Sequence, residues 1–157
     1  LVGLGQAVEV AYEIKLPRKT AKLEISSIRS DVELSDLAGA VSVDVKQGDI
    51  EMTDMSGPVR TNLVNGDTEV ELKPGAEGSP PPTCVFRSVN GSFELRLARG
   101  RSADLEAEVT NGQIEADEDL KLVQESRPGS KTAKGRVGQG GAPVSVKVVN
   151  GTIRIRD

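Results

Sequence analysis

The sequence predicts an all-β chain wound into a single-stranded parallel β-helix, a solenoid of about six short coils. Three observations predict it. First, the opening Gly48-Asp49-Ile50-Glu51-Met52 returns eighteen residues later as Gly66-Asp67-Thr68-Glu69-Val70. It returns again at Gly91-Ser92-Phe93, Gly112-Gln113-Ile114 and Gly151-Thr152-Ile153, with a glycine-free copy at Ser30-Asp31-Val32. Second, apolar and polar residues alternate before and after each opening, the period of a half-buried strand. Third, helical three-four spacing with caps is absent throughout.

Residues 7–16 alternate like a first strand and end at Pro17, with a polar corner at Arg18-Lys19-Thr20. Six segments then align on Arg29, Gln47, Asn65, Asn90, Asn111 and Asn150, the residue before each opening. Two, four and six positions back stand small or apolar residues in every row. Examples are Val45, Val43 and Val41; Val109, Ala107 and Leu105; and Val148, Val146 and Val144. The openings alternate as well: Val32/Leu34, Ile50/Met52, Phe93/Leu95 and Ile153/Ile155 point one way, and the residues between them point the other. Each unit is therefore two short strands joined at a corner.

The corners are Asn65-Gly66, Asn90-Gly91, Asn111-Gly112 and Asn150-Gly151. Asn-Gly between alternating strands is also a hairpin signal, which would give an antiparallel meander. Its fixed phase in the repeat favours the coil. Glycine supplies a left-handed corner without steric penalty, and stacked asparagines can bond to one another up the column. A single domain over 1–157 is expected, with loop insertions at 73–83 and 124–143. The short, charged final strand (Arg154, Arg156, Asp157) is expected at an open edge, blunting it against further stacking.

These units, together with the closing run from Gly138 to Ile155, resemble the bacterial "putative adhesin" domains, a family of unknown function. The resemblance covers about Val8 to Arg156. It implies a right-handed parallel β-helix and a cell-envelope or extracellular setting. It brings no catalytic residues with it.

Chemistry is sparse. The chain has no histidine, so Cys-His and Ser-His nucleophile pairs and histidine-ligated metals are excluded. Cys84, the sole cysteine, falls on an inward position as a small buried hydrophobe. The net charge of −4 argues against a nucleic-acid partner, and no apolar run is long enough to insert in a membrane. The distinctive surface feature is the column Glu33, Glu51, Glu69, Glu94 and Glu115. Its plain reading is a solvated face. Its functional reading is a stripe for calcium or a basic partner, with Asp31, Asp49 and Asp67 adding ligands. The outer column of Asp44, Asn62, Arg87, Glu108 and Lys147 alternates in sign as cross-strand pairs do. Arg127, Lys131, Lys134 and Arg136 make the 124–143 segment a basic arm.

The expected function is a non-enzymatic envelope or surface module, an adhesin or scaffold, that needs no cofactor and meets a protein or glycan partner. The alternative is a carbohydrate-binding or carbohydrate-active β-helix that uses the glutamate column, with or without calcium. End-to-end self-association is a further expectation, because stacked coils can continue from one chain to the next.

Overall fold

The computed structural model describes residues 12–13, 22–74 and 82–157. The polar corner at residues 18–20, most of the first strand expected over 7–16, and residues 75–81 of the first insertion lie outside the described residues.

The alternating segments form the strands that their periodicity predicts. The first strands of the units are β2 (Lys22–Arg29), β4 (Ala40–Gln47), β6 (Val59–Asn65) and β8 (Cys84–Asn90). Their partners across the corner are β3 (Val32–Ser35), β5 (Ile50–Met55), β7 (Thr68–Leu72) and β9 (Phe93–Leu97), with β1 (Tyr12–Glu13) pairing beside β3. In the last two units one strand runs unbroken through the corner, as β10 (Ala103–Ala116) and β13 (Pro143–Arg156). Every unit-to-unit pairing is parallel, in two ladders, one on each side of the corner. The solenoid is thus parallel, not a meander.

Inward residues from both ladders fill the space between them. Val41, Val43, Val45, Leu63, Phe86, Val144, Val146 and Val148 meet Val32, Leu34, Ile50, Met52, Val70, Phe93, Leu95, Ile153 and Ile155, all buried. The two phenylalanines of the fourth unit face each other across the corner, their centroids 5.1 Å apart and their rings tilted by 44°. A core this narrow is filled by stacked aliphatics, which explains the scarcity of rings.

Two expectations are corrected. The final strand is not at an edge. β13 lies between the fourth and fifth units, pairing with β8 and β9 on one side and with β10 on the other. The spatial order of units is therefore first, second, third, fourth, sixth, fifth. Charge gives a physical reason. Stacking the fifth unit directly on the fourth would place Glu115 against Glu94, and like charges directly opposite are destabilising. With β13 inserted, the register reads Glu94, Arg154, Glu115. Arg154 Nε lies 3.1 Å from Glu115 Oε2, and Arg156 Nε lies 3.6 Å from Glu94 Oε1.

The second correction concerns residues 124–143, expected as a loop. They contain most of an antiparallel hairpin, β11 (Val123–Arg127) and β12 (Ser130–Val137), and β12 pairs antiparallel with β10 from Ala103 to Val109. This hairpin covers the outer edge of β10 from Ala103 to Val109, half of the edge that continued stacking would need. Its cations meet acidic residues: Lys134 bonds Glu106 at 2.7 Å, Arg136 lies 3.4 Å from Asp104, and Arg127 lies 3.6 Å from Glu125. The basic arm is largely neutralised by its own sheet.

Candidate functional site

The corner carries a ladder of side-chain hydrogen bonds from unit to unit. Asn90 Nδ2 donates to Asn65 Oδ1 at 2.7 Å, Asn150 Nδ2 to Asn90 Oδ1 at 2.8 Å, and Asn111 Nδ2 to Asn150 Oδ1 at 3.0 Å. Arg29 Nε donates to Gln47 Oε1 at 2.8 Å and extends the column in the first units. Backbone bonds run beside the side chains: Gly48 N–H, Gly66 N–H and Gly91 N–H donate to the carbonyls of Asn65, Asn90 and Asn150. Gly66 and Gly91 have φ of +138°, a conformation in which side-chain-bearing residues are strained. A Cβ on Gly91 would also overlap the carbonyl oxygen of Gly66.

The aspartates next to the corner form a second ladder. Asp31 Oδ1 accepts from Asp49 N–H at 2.9 Å, Asp49 Oδ1 from Asp67 N–H at 2.9 Å, and Asp67 Oδ1 from Ser92 N–H at 2.7 Å. Each carboxylate is thus used to bind the next rung's backbone.

The glutamate column stands in register, Glu33 opposite Glu51, Glu51 opposite Glu69 and Glu69 opposite Glu94. Its two ends differ. Arg96 bridges Glu69 at 3.1 Å and Glu94 at 2.9 Å, and the arginines of β13 complete the neutralisation. Glu33 and Glu51 have no ion pair among the described residues. Nor do the described residues contain a group of three or more acidic, cysteine or histidine side chains placed to hold a metal ion. Glu51→Gln should therefore change stability by no more than about 0.5 kcal/mol, toward stabilisation, because it removes exposed repulsion from both neighbours. Urea melts with and without added calcium test this. A large loss of stability would mean that the column is held by a bound cation.

Buried polar groups are few. Cys84 is fully buried, its thiol pushed up by desolvation, an effect opposed by a backbone hydrogen bond at Val59 and by the nearby Arg101 charge. Arg101, only 4% exposed, donates through Nη1 to the Lys73 carbonyl at 2.6 Å, and its Nη2 lies 4.0 Å from Cys84 Sγ. It ties the β9–β10 connection to the end of β7, a role the sequence does not announce. The hydroxyls of Thr61 and Ser88 are buried without a partner between apolar rungs. Thr61→Val should raise stability by about 1 kcal/mol, since it removes a desolvated hydroxyl at nearly constant volume. The shift in urea midpoint measures it.

Comparison with known proteins places this geometry. The family model Toastrack DUF4097 matches residues 14–156, in agreement with the resemblance read from the repeats. No curated protein matches the chain. Among solved structures, it is similar to a "putative cell adhesion protein" from Clostridium sporogenes ATCC 15579, with a TM-score of 0.58 at 10% identity. The alignment covers 88% of this chain and 92% of that one, a likeness of fold.

Proposed function

The chain belongs to the Toastrack DUF4097 family, and we propose that it is a non-enzymatic adhesin or scaffold module acting at the cell envelope. The observation that carries this reading is a rigid, ladder-locked solenoid whose outward residues stand in register columns from rung to rung. Such a surface binds by presenting side chains at fixed spacing and needs no reacting group. The residue inventory favours binding over chemistry: there is no histidine, and the one cysteine is buried. The adhesion label of the structural neighbour points the same way. No helix among the described residues is long and apolar enough to cross a membrane.

Protease shaving of intact cells that express the tagged, full-length parent protein tests the placement. The expected result is cleavage of the domain from outside. Protection until lysis would overturn the surface reading.

A further inference from the structure

The outward face of the first ladder carries two cations, Arg60 and Arg87, that form no ion pair among the described residues. Arg60 on β6 stands between Ser42 on β4 and Val85 on β8. Arg87 on β8 stands between Asn62 on β6 and Lys147 on β13. Lys147 turns its charge to Glu108, 3.3 Å away, so Arg87 keeps a like-charged neighbour and gains no anion. Neither arginine has a hydrogen bond or ion pair among the described residues, in contrast to Arg96, Arg154 and Arg156 on the second ladder. Insertion of β13, which neutralises the second ladder, is what leaves Arg87 uncompensated on the first.

The two arginines line one groove of about 310 Å³, together with Ser42, Asp44 and Asn62. Asn62 Nδ2 reaches Asp44 Oδ2 at 3.4 Å, so the Asp44 carboxylate keeps acceptor capacity. Two guanidinium forks on neighbouring rungs match carboxylates, which they bind through paired N–H donors. Asp44 disfavours a densely charged polyphosphate and suits a ligand that also offers N–H donors. Phe86 and Phe93 are both buried, and no aromatic residue lines the groove to stack a sugar.

The geometry points to this groove as a docking site for an extended acidic peptide segment of a protein partner. Arg60 and Arg87 hold successive carboxylates, and Asp44 and Asn62 meet the peptide backbone. This inference rests on the reading of the chain as a binding module. It names the face and the chemistry of the partner.

Fluorescence anisotropy with a labelled oligoglutamate peptide and the full chain tests it, in about 50 mM and about 300 mM salt. Saturable binding is expected, weaker at the higher salt. Arg60→Gln and Arg87→Gln should each weaken it about tenfold or more, and Arg29→Gln, outside the groove, should not. Unchanged melting curves would show that the groove variants remain folded. Binding that survives both groove substitutions, or no binding at low salt, would overturn the site. Binding of a uronic-acid oligosaccharide without binding of the peptide would overturn the peptide assignment. Peptide binding is read in vitro and shaving reads cellular exposure, so either result can fail without the other.

Discussion

Gly91→Val should destabilise the protein by about 4 kcal/mol or more, enough to prevent folding in a domain of ordinary stability. Two costs add at this position. A β-branched residue is strained at φ +138°, and its Cβ would overlap the Gly66 carbonyl oxygen, a backbone atom. Moving that carbonyl also displaces Gly66, whose N–H donates to the Asn90 carbonyl. Gly129 supplies the control. Its φ is +80°, but a Cβ there meets nothing within 4 Å. Gly129→Ala should cost only about 1 kcal/mol, the conformational part alone. Equilibrium urea unfolding of the two variants separates strain from overlap; equal effects would show that the corner has room to relax.

The second large effect is expected from ending the chain before Pro143. Were β13 an edge strand, its removal would trim one rung and leave a shorter solenoid. Because β13 lies between β8/β9 and β10, its removal takes out Val144, Val146, Val148, Ile153 and Ile155, each buried. At about 1.5–3 kcal/mol for each fully buried aliphatic side chain, the loss rivals the whole stability of a domain. The truncated chain should lose cooperative unfolding. A synthetic peptide spanning 143–157 should restore it in trans, read by circular dichroism and gel filtration. A truncated chain that melts cooperatively at nearly the original temperature would contradict the central placement of β13.

Much of the architecture was legible because it is written in local chemistry. Inward Val41, Val43 and Val45 against outward Ser42 and Asp44 declare a strand and its buried face. Asn65-Gly66 and Asn90-Gly91, at constant phase, declare the corner and the side-chain ladder that follows. The glutamate column was legible as a column, since register follows from period. Its neutralisation by β13 was not, because Arg156 lies far from Glu94 in the chain and reaches it only through the order of units. The arginine groove was hidden for the same reason. In sequence order Arg87 precedes Glu108, which suggests a cross-strand pair, yet in space Lys147 comes between them.

The hairpin of β11 and β12 escaped notice because its residues are rich in glycine, serine and charge and lack an apolar run. Its stability comes from the β10 edge that it covers, with Ala133 buried against that edge and Lys134 paired to Glu106. Arg101 escaped as well, since a buried guanidinium beside a carbonyl leaves no sequence pattern.

By itself, the sequence determined the strands of the repeated units, their inward and outward faces and the parallel stacking, because each depends on contacts a few residues apart or on a repeated period. Only the tertiary structure decided which unit stacks on which. The fifth and sixth units carry the same corner and the same inward pattern, so either could follow the fourth by local rules. The choice falls to long-range terms: the arginines of β13 between two glutamates, and the hairpin that pairs with the Ala103–Val109 edge of β10.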